Sequence, residues 1–234
     1  MSKKGKRYEN AVRAFDREAV HPPLEALTLV KQAASAKFDE TIELAIKLGI
    51  DARKADQAVR GTVTLPHGTG KTVRIAVFAQ GEAARSAEAA GADLVGGDDL
   101  AEQVQGGMLD FDVAIASPDM MSTVGKLGKV LGPRGLMPNP KAGTVTPNVA
   151  EAVEQFKAGR VEYRNDRYGN VHIGIGKASF AADQLVDNYA AAVEELQRVK
   201  PASAKGRYFR GISVASTMGP GVRIDPADAL PHVD

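Results

Sequence analysis

No cysteine occurs among the 234 residues. That excludes a disulfide framework, a thiolate metal site and a thiol nucleophile, and it fits a reducing compartment. Tryptophan is absent too, and only seven Phe and five Tyr are present, so a core has to come mainly from Val, Ile, Leu and Ala. No apolar run approaches the roughly 20 residues a membrane helix needs. The chain starts basic at Lys3, Lys4, Lys6 and Arg7, as a secretory leader does, but Tyr8 to Glu18 is charged where a leader is apolar. A cytoplasmic protein with no membrane partner is expected. Histidine is scarce: His21, His67, His172 and His232 form no pair at i, i+3 or i+4, so no helical metal site is expected. An excess of one charge is also missing, since 30 basic residues face 29 acidic ones.

What is present is the balance of a globular protein, 44% hydrophobic and 25% charged, which excludes disorder along the whole chain. The near-neutral total hides an uneven distribution. Positions 69–159 hold 8 basic and 11 acidic residues, and the remainder holds 22 and 18. Arg198 to Ile224 has six cations and no acid, and Met120 to Pro147 has four cations and no acid. Local fields of this kind, rather than the net charge, steer a polyanion.

The middle of the chain alternates strand and helix. Strands are expected over Thr72–Ala79, Asp93–Val95 and Asp112–Ala116. Helices are expected up to Gly91, from Asp98-Asp99, and from Ser117-Pro118-Asp119 through about Leu131. The flanks read as α+β. They comprise a charged helix over Tyr8–Glu18, a helix opened by Pro22-Pro23, and a half-buried strand in which Ile42, Leu44, Ile46 and Leu48 alternate with polar or small residues. A strand at Gly61–Leu65 follows. Later come a hairpin of Arg160–Arg164 and Asn170–Ile175 around Asn165–Gly169, a helix over Ala181–Val199 and a strand over Tyr208–Ser216. The expected class is α/β in two domains: a discontinuous α+β domain of residues 1–67 and 160–234, with a three-layer α/β domain of residues 68–159 inserted. Pro66, His67 and Gly68 on one crossing and Gly159 on the other make a candidate hinge.

Catalytic signals are weak. Gly68-Thr69-Gly70-Lys71-Thr72 resembles a phosphate loop, but the position five before Gly70 is Leu65 rather than glycine, and a strand rather than a helix follows. A turn between domains is the better reading. Asp98-Asp99 reads as a helix start, and no serine sits in a nucleophile elbow. The chain is not expected to be an enzyme or to carry a cofactor. Two segments hold candidate binding chemistry, the first for a ligand approached by backbone and the second for RNA. The competing readings are an ordered loop with solvated cations and a plain strand end with a turn. The loop Gly125–Gly143 interleaves glycines with Lys126, Lys129, Arg134 and Lys141. The run Ser216-Thr217-Met218-Gly219-Pro220 offers a hydroxyl, a soft apolar surface and bare backbone together.

Four strings carry a resemblance. They are Lys37-Phe38-Asp39-Glu40-Thr41, the run from Asp56 to Val63 (DQAVRGTV), the loop from Gly132 to Gly143 (GPRGLMPNPKAG), and Thr217-Met218-Gly219-Pro220. With them the sequence resembles the family of the first-numbered large-subunit ribosomal protein, in its bacterial form, from about Lys6 to Asp225. The resemblance implies a discontinuous RNA-binding domain and an inserted Rossmann-like domain that binds no dinucleotide. It also implies a protein of the large ribosomal subunit, monomeric when free. Such a protein binds stalk rRNA, assists exit-site tRNA release and represses its own mRNA. Carried over by position, the RNA-binding set is Lys37, Phe38, Thr41, Glu43, Arg164, Asp166, Arg167, Gly169, His172, Thr217, Met218 and Gly219. Lys37, Arg164 and Arg167 are expected on phosphates. Phe38 and Met218 are expected on sugar or base faces, and Thr41, Thr217 and the backbone at Gly169 and Gly219 on 2′-hydroxyls. Glu43 and Asp166 can accept hydrogen bonds or orient a cation. A core position is the competing expectation for Phe38 and His172. Lys126, Lys129, Arg134 and Lys141 are expected to give a weaker, secondary RNA contact. The tail from Pro226 to Asp234 has no assigned role.

Overall fold

The structure, a computed structural model, describes residues 5–230; Lys3, Lys4 and His232 lie outside them. In chain order the elements are α1 (Lys6–Arg13), β1 (Val20–His21), α2 (Pro23–Ala33), β2 (Thr41–Leu48), β3 (Arg60–Thr64), β4 (Ile75–Phe78), α3 (Gly81–Ala89), β5 (Leu94–Gly96) and α4 (Asp98–Gln105). They continue with β6 (Val113–Ala116), α5 (Met121–Lys126), α6 (Gly128–Leu131), α7 (Val149–Lys157), β7 (Arg160–Arg164), β8 (Asn170–Lys177), α8 (Ala182–Arg198), β9 (Phe209–Ser216) and β10 (Val222–Ile224). The chain divides into two compact units, Met1–Gly70 with Val161–Asp234, and Lys71–Arg160.

In the first unit, strands from both ends of the chain share one five-stranded sheet, ordered β1-β10-β9-β2-β8. The period-2 pattern decides its faces. Ile42, Leu44, Ile46 and Leu48 of β2, with Val171, Ile173 and Ile175 of β8 and Ile212 and Val214 of β9, point into one core. That core is closed by Ala26, Leu27 and Val30 of α2 and by Leu185, Tyr189, Ala192, Val193 and Leu196 of α8. The alternate residues form the opposite, open face. There Ala45 pairs with His172 on one side and Ser213 on the other, and Glu43 pairs with Gly174 and Ala215.

In the second unit, β5-β4-β6 form a parallel sheet. All four residues of β4 are buried, because helices cover both faces. Ile75, Val77 and Ile115 pack with Ala87 of α3 and Val153 and Phe156 of α7. Ala76 and Phe78 pack with Leu100 and Val104 of α4 and Val124 and Leu131 of α5 and α6. This is a three-layer α/β arrangement.

Three local expectations are corrected. The N-terminal helix stops at Arg13 rather than Glu18, where the Asp16 carboxylate accepts from the Glu18 amide and turns the chain. The helix expected through Leu131 is broken at Leu127, whose amide bonds back to Val124 in 3₁₀ fashion. The strands expected as a hairpin, β7 and β8, share only the Asn165–Val171 bridge. β8 runs with β2 over its whole length, whereas β7 forms a separate two-stranded sheet with β3. β7 is held in this place by Tyr163, which is buried and donates to Glu195 of α8 at 3.1 Å.

Candidate nucleic-acid interface

The string Lys37–Thr41 leads from α2 into the first residue of β2, and its last three residues tie three chain segments together. The Asp39 carboxylate accepts from the Ser179 amide and hydroxyl at 3.0 and 2.7 Å. Glu40, only 1% exposed, accepts from the Ala36 amide through one oxygen and from the Met218 amide through the other, both at 2.8 Å. Thr41 donates its amide to the Thr217 hydroxyl at 3.0 Å, and its own hydroxyl accepts from Lys177 Nζ at 2.9 Å. With these bonds made, Lys37 and Phe38 project outward. Phe38 is 56% exposed and Met218 51%, and His172 is exposed on the open face. The core alternative for Phe38 and His172 is therefore excluded.

Burial alone would push the Glu40 carboxyl upward. The two amide donors outweigh it, and the Ser216 hydroxyl and the Arg7 charge add to them, so the group is held below its ordinary value. A Cβ at Gly219 would lie 2.4 Å from Ser216 Oγ, so any side chain there requires the Ser216 hydroxyl to turn away.

The opposite end of β2 carries the second cluster. Asp166 Oδ1 accepts from the amides of Tyr168 and Asn170, and Oδ2 from the Asn170 side chain, all at 2.8 Å. Desolvation opposes these donors but loses to them, and the carboxyl sits below its ordinary value. Gly169 adopts φ +78°, the left-handed region in which glycine is least strained. Its carbonyl accepts from the Leu48 amide at 2.8 Å, and Lys47 Nζ bonds the Tyr168 carbonyl. The turn so fixed presents Tyr168, 62% exposed, with the Arg167 guanidinium 5.0 Å from its ring. Arg164 is exposed at the end of β7, next to this turn.

The twelve residues carried over by position thus fall into two clusters with a sheet face between them. Lys37, Phe38, Thr41, Thr217, Met218 and Gly219 lie at one end, and Arg164, Asp166, Arg167 and Gly169 at the other. Glu43 and His172 lie between. By strand rise, the eight residues of β2 separate the ends by about 23 Å. Sequence reasoning missed several residues here. A shallow cleft of about 540 Å³ at the turn end is lined by Lys47, Asn170, His172, Arg210, Ser213 and Arg223. Lys47 was legible as an outward position in the β2 alternation. Arg210 and Arg223 belong to the acid-free cationic stretch from Arg198 to Ile224 and Tyr168 to the turn at Asn165–Gly169, signals that marked the segments without assigning these residues to a site.

Elsewhere, Lys126, Lys129, Arg134 and Lys141 are all exposed on α5, α6 and the loop that follows. In the phosphate-loop-like segment, Lys71 pairs with Asp112 at 2.5 Å, and Thr72 leads into β4 rather than a helix. Among the described residues no group of three or more His, Asp or Glu could hold a metal, and no helix is long and apolar enough to cross a membrane.

Comparison with known proteins places this architecture. Residues 30–220 match the model of the Ribosomal protein L1p/L10e family. A large ribosomal subunit protein uL1 from Methylobacillus flagellatus is 62% identical over 228 residues, 97% of this chain and 99% of the relative. Proteins of the same name from Cutibacterium acnes and Saccharopolyspora erythraea are 60% and 58% identical over 97% of this chain, covering 98% and 95% of theirs. A family match over most of the chain, with relatives this similar from end to end, leaves one conclusion: the chain belongs to the Ribosomal protein L1p/L10e family.

Proposed function

We propose that this chain binds stalk rRNA through the open face of its five-stranded sheet and the two clusters that bound it, assists exit of deacylated tRNA, and represses its own mRNA through an rRNA-like site. As a member of its family it is an RNA-binding protein of the large ribosomal subunit and not an enzyme. The observation that carries the finer reading is the pair Phe38 and Met218. Both are more than half exposed, and the same buried carboxylate accepts from the Met218 amide and from the amide of Ala36, two residues before Phe38. Large apolar side chains held rigidly in water suit stacking and packing on ribose or base faces. Cations on the same unit supply the electrostatic part: Lys37 at one end, and Lys47, Arg164, Arg167 and Arg210 towards the other. The secondary contact is assigned to Lys126, Lys129, Arg134 and Lys141.

The two domains are proposed to hinge at their crossings. His67 and Gly68 are held to α8 by Asn188, which accepts from the His67 amide at 3.0 Å and donates to the Gly68 carbonyl at 2.9 Å. The bend of the first crossing therefore falls after Gly68, near Gly70 (φ +67°), and that of the second at Gly159 (φ +112°).

The test is a titration of the full chain against a short stalk-rRNA fragment and a scrambled control at two salt concentrations. Tight binding to the fragment alone, retained at the higher salt, is the expected result. Equal, salt-labile binding to both RNAs refutes the reading.

A further inference from the structure

We propose that Glu40 is a positioning residue: its buried carboxylate locks the 36–38 and 217–219 loops to each other, so that Phe38 and Met218 meet RNA as one rigid element. This deepens the proposed function and rests on its reading of the RNA face.

A carboxylate loses its hydration when buried and is tolerated only where hydrogen bonds replace the lost water. Glu40 meets that condition in one specific way. One oxygen takes the amide of Ala36, four residues away in sequence, and the other takes the amide of Met218, 178 residues away. The 217–221 loop opens with a hydrogen-bonded turn, the Gly219 amide on the Ser216 carbonyl at 3.1 Å, whereas no helix or strand covers residues 34–40. Residues 34–40 lie between α2 and β2, and 217–221 between β9 and β10. Phe38 is too exposed for packing to fix its backbone. The burden falls on the hydrogen bonds: Thr41 and Thr217 tie the start of β2 to the second loop, and Glu40 adds the link that reaches back to the 36–38 loop as well.

The geometry is specific to a carboxylate. Two N–H donors approach two equivalent oxygens, and both bonds are charge-assisted. A glutamine of the same shape offers one acceptor. Its NH₂ must face an N–H, so one loop is released whichever way the amide turns. An aspartate keeps the charge but is one methylene short of spanning both donors. The charged group facing the carboxylate from α1 is Arg7.

The experiment uses the full chain with E40Q, each in the presence and absence of Phe38→Ala and Met218→Ala. The probes are the stalk-rRNA fragment and its scrambled control, with amide hydrogen exchange measured at Ala36 and Met218. The expected result for E40Q is a cooperative fold and about tenfold or greater loss of affinity for the fragment, with the scrambled control unchanged within about twofold. In the unmodified chain the Phe38 and Met218 substitutions are expected to be non-additive, and in E40Q to become additive, because only a rigid element couples them. E40Q with unchanged affinity and unchanged coupling overturns the proposal. Phe38→Ala and Met218→Ala without effect in the unmodified chain would instead overturn the RNA face itself. Should E40Q fail to fold, exchange in the unmodified chain decides. Both amides are expected to be protected and to open together, and fast exchange at either one overturns the proposal.

Discussion

The Thr217 hydroxyl accepts from the Thr41 amide at 3.0 Å and donates to the Thr41 carbonyl at 3.3 Å. Its only proton is thereby committed, and it can offer RNA one lone pair at most. Asp166 is committed in the same way to the Tyr168 and Asn170 donors. These side chains shape the surface, and under the proposed function Phe38, Met218 and Lys37 are the ones that meet RNA. The substitutions should sort accordingly. Phe38→Ala and Met218→Ala are expected to cost about 1–3 kcal/mol of specific RNA affinity with about 0.5 kcal/mol or less of stability, measured by titration and by denaturant unfolding. Lys37→Ala should lower the salt slope of binding by about one ion. The carboxylates also predict a pH dependence with a definite sign. Glu40 and Asp166 are held below their ordinary values, so their stabilisation is complete above the unfolded-state pKa values and is lost as pH falls through the folded ones. Thermal midpoints are expected to be flat with respect to these groups above about pH 5 and to fall below about pH 4. The fall should be shallower in D166N, and an equally steep fall there would show that Asp166 is not one of the groups responsible.

At the scale of elements, α8 does more than cover the sheet. Asn188 is fully buried on its inner face. Its side-chain amide donates to the carbonyls of Gly68 and Ile175, and its oxygen accepts from the His67 amide. One side chain thus joins α8, β8 and the first crossing. Asn188→Ala leaves the buried Ile175 carbonyl and two part-buried groups, the His67 amide and the Gly68 carbonyl, short of a partner and is expected to cost about 1–3 kcal/mol in denaturant unfolding. Asn188→Asp should cost at least as much, since it turns an acceptor toward two carbonyls; a milder effect would contradict the assigned hydrogen bonds. Elements of this unit were legible where periodicity carried them, as in the alternation from Ile42 to Leu48 that gives β2 and its open face. Asn188 was not legible, because a polar residue in an amphipathic helix reads as solvent-facing. The β7–β8 hairpin was misread for a related reason. The turn signal at Asn165–Gly169 was sound, but β8 pairs with β2 and β7 with β3, both distant in sequence. The Glu40–Met218 bond was out of reach for the same cause. The resemblance supplied the residue types at both clusters, and only the fold could supply the distance between them.

For the whole molecule, the charge distribution separates the two units. Residues 69–159 hold more acids than bases, yet the stretch from Met120 to Pro147 has none of the acids. Lys126, Lys129, Arg134 and Lys141 are exposed there, and the stretch is anchored at its end by Asn139, which accepts from the Lys141 amide and donates its own amide to the Thr144 hydroxyl. A local cationic surface on an otherwise acidic unit attracts a polyanion only at short range, since charges beyond about 10 Å are screened at 0.1 M salt. It therefore suits a second contact formed once the first unit has docked. Replacing all four cations with alanine is expected to leave affinity for the isolated stalk fragment within about twofold, because the open sheet face and its clusters belong to the other unit. Binding of the same variant to tRNA should weaken and lose up to about three to four ions of salt slope. Loss of stalk-fragment affinity as large as that of Phe38→Ala would place this loop on the primary RNA face instead. An unchanged tRNA slope would mean that the four cations are only solvated.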